Sequence, residues 1–251
     1  MGYGDELIAA GEARLLYESD PLRRPVRILD RLGRPRAHPL WAGNPAIAPP
    51  ERHDTLPAIT NGPLARPYCR AKEPTRWHWK PYVCRPAQLF FTPAELDFAA
   101  SQQPCVVIEP TIKARASPNK DWGFRRWVEF TRLAAERGIE LTQLGEQAPR
   151  LPHVRHWIAT PDFRTACAVL GRAHAFVGHE GGLHHAAAAL GVPAVVIFGG
   201  FISPAQTGYA SHRNLFTGGR PCGMRVRCRH CSTAMEAITP QHVLHELEAI
   251  L

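Results

Sequence analysis

The sequence lacks any long apolar run. Its longest apolar stretches, Ala186–Leu190 and Ala194–Phe198, fall well short of the roughly 20 residues that a membrane-spanning helix needs. The first thirty residues carry acidic side chains that include Asp5, Glu6, Glu12 and Glu18, and they have no uninterrupted apolar core, so they do not resemble a secretory signal. We therefore expect a protein without a membrane span, located in the cytoplasm.

Cysteine is also sparse, and several nucleotide-binding motifs are absent. The chain has 7 cysteines in 251 residues, without the density of a secreted disulfide scaffold, so we expect mostly reduced thiols. Neither G-x-G-x-x-G after a predicted strand nor G-x-x-x-x-G-K-[ST] is present, which disfavours a dinucleotide dehydrogenase and a P-loop enzyme. No Asp-x-Asp motif occurs, so we expect no catalytic metal bridging a diphosphate.

Positive charge is abundant and concentrated in one segment. The whole chain carries a net charge of +8, whereas Pro21–Phe90 alone has 11 Arg and 2 Lys against 4 acidic residues, a net charge of +9. Within it, Arg76, Trp77, Trp79 and Lys80 interleave cations with flat rings. This pattern suits a polyanion, because cations meet phosphates while rings stack on bases or sugars. The alternative is a solvated, loop-rich surface with its tryptophans packed into a small core.

The chain changes character near residues 102–104. Between Pro21 and Pro86 proline recurs every few residues, which excludes long helices and predicts short strands and ordered loops. A helix is predicted over Gly4–Tyr17, and Thr92 with Pro93 begins another that runs to about Ala100. We expect two domains, a small proline-rich basic one over residues 1–103 and a larger one over 104–251.

Strands and helices alternate regularly after Pro104. Such alternation predicts an α/β fold with a doubly wound parallel sheet, because parallel strands need crossover helices. The predicted strands are Cys105–Ile108, Ile139–Leu144, Val154–Ile158, Ala173–Val177 and Pro193–Phe198. The predicted helices are Arg125–Arg137, Phe163–Gly171, a segment from Gly182 to Gly191, and Gln241–Leu251.

The most informative segment is the turn His179–Gly182 between a predicted strand and an alanine-rich helix. Free backbone N–H groups at the helix start, unobstructed at Gly181 and Gly182, form a ready site for a phosphate or diphosphate. Glu180 can accept hydrogen bonds from ribose hydroxyls, and His184 can donate one to a phosphate oxygen. The alternative is a plain tight turn with ordinary surface histidines.

Residues 166–209 resemble the donor half of glycosyltransferase family nine, the ADP-heptose:lipopolysaccharide heptosyltransferase-like enzymes of GT-B fold. The family's acid (commonly Asp), glycine and histidine match Glu180, Gly182 and His184, and its closing phenylalanine–glycine pair matches residues 198–199. Upstream, Lys120 and Trp122 resemble the family's lysine and tryptophan. The resemblance implies a GT-B-like fold with a Rossmann-type donor domain, and a lysine that neutralises donor phosphate. The donor-binding residues are then Lys120, Glu180, Gly181, Gly182, Leu183 and His184.

The resemblance also implies a general base. The family places an aspartate in a glycine-containing loop near the start of its N-terminal domain, and Gly4–Leu7 matches this loop, which makes Asp5 the expected base. The alternative is that Asp5 only caps the first helix. Family members begin with an apolar strand and have a larger acceptor domain, whereas this sequence begins at the loop, so the acceptor is not inherited from the resemblance.

A cluster of cysteines follows the donor-like segment. Cys222, Cys228 and Cys231, with His230 or His212 as a fourth ligand, have a spacing compatible with a structural zinc ion. Free thiols or a loop disulfide are the alternatives.

Together these features predict an inverting glycosyltransferase that uses a nucleotide-diphosphate sugar as co-substrate. Two acceptors are compatible with the sequence: a 5-hydroxymethyl pyrimidine in duplex DNA, suggested by Arg76, Trp77, Trp79 and Lys80, or a bacterial saccharide, suggested by the resemblance. The alternative from another class is a non-catalytic, zinc-stabilised nucleic-acid-binding protein on a degenerate transferase fold.

Overall fold

The computed structural model describes residues 1–52, 55–70, 73–113, 116–145 and 149–251. The strands in these ranges are β1 (Arg27–Leu29), β2 (Ala58–Thr60), β3 (Cys69–Arg70), β4 (His78–Trp79), β5 (Val106–Glu109), β6 (Leu141–Leu144), β7 (His156–Ile158), β8 (Ala175–His179), β9 (Ala194–Gly199) and β10 (Arg213–Phe216). The helices are α1 (Tyr3–Ser19), α2 (Pro93–Ala100), α3 (Phe124–Glu136), α4 (Phe163–Leu170), α5 (Gly182–Leu190), α6 (Pro204–Thr207), α7 (Arg229–Ala237) and α8 (Pro240–Glu248), with 3₁₀ turns at Pro39–Trp41 and Pro118–Lys120.

Six strands form one parallel sheet in the order β10-β9-β8-β5-β6-β7. Numbered from β5, this is the 3-2-1-4-5-6 order of doubly wound nucleotide-binding sheets. The predicted α/β class with a parallel sheet is confirmed. The strand order reverses between β5 and β8, and ligands of such sheets bind in the crevice beyond the carboxyl ends of the strands at this point.

Both faces of the sheet are covered, as a parallel sheet requires. Alternate residues of the central strands pack to opposite sides, so that Phe176 and Val196 belong to a core shared with α1, α4 and α5. Val177 and Val195 belong to a second core, shared with α3 and α8. Every residue of β8 and β9 is buried, which explains their near-continuous apolar sequence.

The first hundred residues wrap one face and one end of this sheet. α1 packs against α5 and α2 packs against α4, while β1 and β2 form a parallel pair and β3 and β4 an antiparallel pair. Between Pro21 and Pro86 the described residues contain only short strands and a 3₁₀ turn, as the prolines predicted. The domain boundary at residue 103 stays a prediction.

Helix starts are the best-predicted local features. Thr92 and Glu95 form the expected capping box, in which each side chain accepts the other residue's backbone N–H. After Pro104, three elements are missing from the sequence-based prediction. α6 has only four residues, β10 is an edge strand of mixed polarity, and α7 begins inside the cysteine cluster, so none of them has a clear apolar period. Among the described residues, no helix combines the length and apolar character needed to cross a membrane.

Candidate functional site

A cavity of about 820 Å³ opens at the carboxyl ends of β5 and β8, where the strand order reverses. The starts of α1 and α5 form two of its sides. The 3₁₀ turn that ends at Lys120, the indole of Trp77 and the ring of Phe201 contribute further lining. The cavity therefore lies where the topology predicts a ligand, and it combines residues from both parts of the chain.

The two helix starts approach each other closely because each has a glycine in its first turn, Gly4 in α1 and Gly182 in α5. A Cβ on Gly4 would lie 2.7 Å from Cδ2 of His185, and a Cβ on Gly182 would lie 2.9 Å from Cζ of Phe163. Tyr3 stacks on Phe163 with ring centroids 4.1 Å apart. Two helix starts, each at the positive end of a helix dipole and each with backbone N–H groups that lack an intrahelical partner, thus line the same cavity.

Asp5 lies in the first turn of α1, and hydrogen-bond donors engage both of its carboxylate oxygens. Oδ1 accepts from Nε of Arg66 (2.7 Å) and from the hydroxyl of Tyr68, and Oδ2 accepts from the backbone N–H of Gly2 (3.0 Å). Burial by itself would raise the pKa of Asp5, but the charge of Arg66 and these hydrogen bonds hold it below the usual value. Asp5 is therefore a carboxylate at neutral pH, held in one orientation.

The backbone around Asp5 is fixed as firmly as its side chain. The indole Nε1 of Trp41 donates to the carbonyl of Glu6 (3.0 Å), and Nδ2 of Asn61 donates to the carbonyl of Asp5 (3.0 Å). The guanidinium of Arg36 pairs with the buried carboxylate of Glu6 at 2.8 Å. These contacts come from loops 30 to 56 residues away, so the proline-rich segment serves to place the start of α1.

Glu180 and Lys120, which also line the cavity, form a partly buried ion pair. Nζ of Lys120 contacts Oε2 of Glu180 and donates to its backbone carbonyl at 3.3 Å. Burial alone would raise the pKa of Glu180, but the charges of Lys120 and His185 bring it well below the usual value. Glu180 is thus ionised, and it pairs with the ammonium group of Lys120, a residue that lines the cavity.

His185 adds a second cation to this pair. Its Nε2 lies 3.7 Å from Oε1 of Glu180, and its Nδ1 lies 2.8 Å from the hydroxyl of Tyr209. Burial opposes the charged ring, but hydrogen bonding to Cys84 and Glu180 outweighs it and raises the pKa of His185 to about 9. At neutral pH the ring is an imidazolium.

Two other titratable groups line the cavity, the ring of His179 and the carboxyl group of Glu109. Nε2 of His179 accepts the backbone N–H of Trp122 at 3.0 Å, which ties the Lys120 turn to β8. Burial lowers the pKa of His179 to about 4, so this ring is uncharged. Glu109, at the end of β5, has its pKa raised to about 7 by burial, so a part of this group is protonated at neutral pH.

An aromatic and cationic wall closes the side of the cavity near Trp77. The guanidinium of Arg66 lies 4.8 Å from the centre of the Trp77 ring, and that of Arg225 lies 5.7 Å from it. Trp79 packs behind them with its Nε1 bonded to the carbonyl of Phe201 (3.1 Å). Of the predicted acceptor-binding residues in this basic, aromatic segment, Trp77 therefore lines the cavity.

The structure places the predicted site residues in two groups. The cavity is lined by Asp5, Trp77, Lys120, Glu180, Gly181 and Gly182. The other predicted residues are Arg76, Trp79, Lys80, Leu183 and His184, and none of them is in its lining.

Each residue of the second group has another environment. Arg76 donates to the sulfur of Met224 (3.1 Å), and Lys80 lines a separate cavity of about 380 Å³. Leu183 and His184 are buried in α5. His184 packs against Phe198, and neither of its ring nitrogens has a hydrogen-bond partner among the described residues.

Sequence reasoning missed several residues that line the cavity. Arg66 and Tyr68 donate hydrogen bonds to Asp5 although they lie more than 60 residues away in the sequence, and no local sequence pattern predicts these contacts. His185 was visible as the neighbour of His184, but successive helix positions differ by about 100° around the axis, so only the packing of α5 decides which ring reaches Glu180. Arg225 and Glu109 carried no motif.

The three cysteines of the predicted cluster come together away from the cavity. Cys222, Cys228 and Cys231 meet His230, with all four ligand atoms within 4.8 Å of one another. His212, the other predicted partner, instead lies beside His184, with ring centroids 5.5 Å apart.

Comparisons with known proteins agree with this architecture. The model of glycosyltransferase family 9 (heptosyltransferase) matches residues 84–231, more than half of the chain. No curated protein matches the sequence significantly. Among solved structures, the *E. coli* ADP-heptose LPS heptosyltransferase II is 23% identical with a TM-score of 0.48, covering 65% of this chain and 53% of that one.

Two further solved structures show the same level of likeness. The family 9 glycosyl transferase from Veillonella parvula DSM 2008 is 10% identical, with a TM-score of 0.49 and coverage of 67% and 54%. The iron-containing dodecameric glycosyltransferase TibC from enterotoxigenic *E. coli* H10407 is 17% identical, with a TM-score of 0.51 and coverage of 67% and 49%. The chain spans about half the length of these proteins. With its parallel sheet, its cavity at the strand reversal and the match over residues 84–231, the chain belongs to glycosyltransferase family 9.

Proposed function

We propose that the chain is an inverting glycosyltransferase that moves a sugar from a nucleotide-diphosphate donor to an acceptor hydroxyl. The observation that carries this proposal is a single cavity with an ionised carboxylate, Asp5, on one side and a cationic helix start on the other. In this reading residues 104–251 bind the donor, and residues 1–103 supply the base and bind the acceptor.

The donor side suits a diphosphate. Gly181 and Gly182 lie in the cavity lining at the start of α5, where backbone N–H groups lack an intrahelical partner and suit phosphate oxygens, and Lys120 and His185 add positive charge beside them. In transfer, the bond from the anomeric carbon to the diphosphate oxygen breaks, and these groups stabilise the negative charge that leaves. TibC has been crystallised with ADP-D-beta-D-heptose, so an ADP-linked sugar is the first donor to test.

The acceptor side suits proton removal. The acceptor hydroxyl attacks the anomeric carbon from the face opposite the diphosphate, and its proton passes to the Asp5 carboxylate, which inverts the configuration. Arg66 and Tyr68 hold the carboxylate ionised and oriented before substrate arrives. The low pKa makes Asp5 a modest base, so much of the barrier reduction must come from positioning and from the cationic donor side.

A saccharide is the acceptor class that we favour. The family is described as heptosyltransferase, and the inward-facing Trp77 ring offers a flat surface beside the cavity. A hydroxymethylated base in duplex DNA is supported only by the basic charge of residues 21–90. Trp79 packs against Phe201, and Arg76 and Lys80 lie outside the cavity lining.

The test is a transfer assay read by mass spectrometry. ADP-, UDP- and GDP-linked sugars are incubated with bacterial oligosaccharides and, separately, with hydroxymethylcytosine-containing duplex DNA. We expect the acceptor mass to increase by one sugar with one donor, and the product to be lost in Asp5→Asn. Neither transfer nor donor hydrolysis with any combination would contradict the proposal and favour the non-catalytic nucleic-acid-binding alternative.

A further inference from the structure

Four side chains outside the cavity gather into an arrangement that the proposed reaction does not use. Sγ of Cys222 lies 3.8 Å from Sγ of Cys228 and 3.1 Å from Sγ of Cys231, and Sγ of Cys231 lies 3.7 Å from Nδ1 of His230. A tetrahedral zinc with Zn–S of about 2.3 Å and Zn–N of about 2.0–2.1 Å holds its ligand atoms roughly 3.5–3.8 Å apart. Two of these three distances match that spacing, and all four ligand atoms lie within 4.8 Å of one another, so the cluster is close to the dimensions of a structural metal site.

The imidazole of His230 is oriented as a ligand would be. Its Nε2 lies 2.8 Å from the carbonyl oxygen of Gly218, and because a carbonyl only accepts, the proton is on Nε2. The lone pair is then on Nδ1, which faces the thiols. Metal-bound histidines are held by this kind of outer hydrogen bond. The ring fits tightly, since a Cβ on Gly200 would lie 2.9 Å from its Cε1.

We propose that Cys222, Cys228, His230 and Cys231 bind one thiolate-preferring divalent metal ion, with zinc as the first choice. A disulfide would use two of the three thiols and leave the third thiol and the oriented imidazole without a role. A metal ion uses all four, and three sulfurs with one nitrogen is a common closed zinc set.

The site fixes a segment that reaches the cavity. Between its ligands, the backbone N–H of Arg225 donates to the carbonyl of Thr75 (2.7 Å), and the carbonyl of Gly223 accepts from the N–H of Trp77 (2.9 Å). Asn119, next to Lys120, donates to the carbonyls of Met224 and Val226 and accepts from the N–H of Cys228. The metal ion thus holds in place the part of the cavity wall formed by Trp77, Arg225 and Lys120. Its own four ligands do not line the cavity.

Metal content of the purified wild-type chain is the direct test. We expect about one metal ion per chain by elemental analysis, and its release when the thiols are modified or a strong chelator is added. After exchange with Co²⁺ we expect absorption bands of a tetrahedral thiolate site. Iron in place of zinc would support the same site with another ion. Substoichiometric metal without a Co²⁺ spectrum, or a mass two hydrogens lower that marks a disulfide, would overturn the proposal.

Variants localise the ion. Cys228→Ser should lose the metal and lower the thermal midpoint, whereas Cys105→Ser, which removes a partly exposed thiol outside the cluster, should keep both. Equal metal content in the two variants would contradict the assignment. If Cys228→Ser does not fold, the wild-type release and Co²⁺ measurements still decide the question. None of these readouts depends on sugar transfer, so this inference and the proposed function can fail separately.

Discussion

Two buried carboxylates line the cavity, and their partners differ. Asp5 pairs with one cation, Arg66, so this ion pair is neutral. Glu180 pairs with two, Lys120 and His185, so the donor side keeps a positive charge while His185 is protonated. A neutral ion pair can hold a base for an uncharged hydroxyl, whereas a group with a net positive charge favours a diphosphate. This difference supports the proposed division of the reaction between the two carboxylates.

Removing the acceptor-side carboxylate should have the largest effect. Asp5→Asn keeps the shape of the side chain but cannot take a proton, so we expect the transfer rate to fall at least about 100-fold. Nucleotide binding should persist because the donor side is intact. Rates are measured by mass spectrometry and binding by calorimetry.

Glu18→Gln is the matched control for Asp5→Asn. Glu18 is a half-exposed acid of the same helix, paired with Arg14, and it does not line the cavity. Equal losses of transfer in the two variants, or loss of nucleotide binding in Asp5→Asn, would contradict the separation of the two sides.

His185→Gln should reduce stability in a pH-dependent way. The pKa of His185 is raised from 6.5 to about 9 in the folded chain, so its contribution is fully present below pH 6.5 and is lost as the pH rises through 9. We expect the variant to be less stable on the order of 3 kcal/mol at the acidic end. Denaturant unfolding across this window measures the difference, with the exposed His245→Gln as control. A constant deficit across the window would mean that His185 is uncharged.

Lys120→Met should weaken nucleotide binding at least about tenfold, because a charge-assisted hydrogen bond contributes roughly 1.5–3 kcal/mol. It also leaves Glu180 with His185 as its remaining cation, so the double variant with Glu180→Gln separates loss of binding from burial of an unpaired charge. Calorimetry of each variant gives the affinity, and Arg137→Ala, a surface ion-pair residue, is the control. Restored affinity in the double variant would show that Lys120 only neutralises Glu180.

The smallest effect is expected from Glu109. Its pKa of about 7 means that raising the pH through neutrality adds a negative charge to the cavity, which should weaken diphosphate binding about two- to fivefold. Glu109→Gln should flatten that pH profile. Nucleotide affinities of the wild type and the variant, measured at several pH values, provide the comparison. Parallel pH profiles would show that ionisation of Glu109 does not affect nucleotide binding.

Much of the fold was predictable, and the reason is local. β5, β8 and β9 are short, mostly apolar segments, because a parallel strand is buried on both faces. The Thr92 cap and the start of α5 at Gly182 depend on neighbouring residues alone. Such features leave a signature within a few positions of the sequence.

The partners of the site residues were not predictable in the same way. Asp5 meets Arg66 and Tyr68 only because the loops around Trp41 and Asn61 fix the start of α1 against α5. His185 rather than His184 reaches Glu180 because of the rotation of α5 about its axis. Both outcomes are set by packing between distant segments, which no spacing rule encodes.

Thermal stability against a panel of nucleoside diphosphates tests the central claim most directly. A ligand that binds only the folded chain raises the unfolding midpoint. We predict a rise with one nucleotide, ADP first among ADP, UDP, GDP and CDP, and a much smaller rise in Lys120→Met. No rise with any of the four would contradict the assignment of the Lys120–Glu180 side as a nucleotide-sugar site.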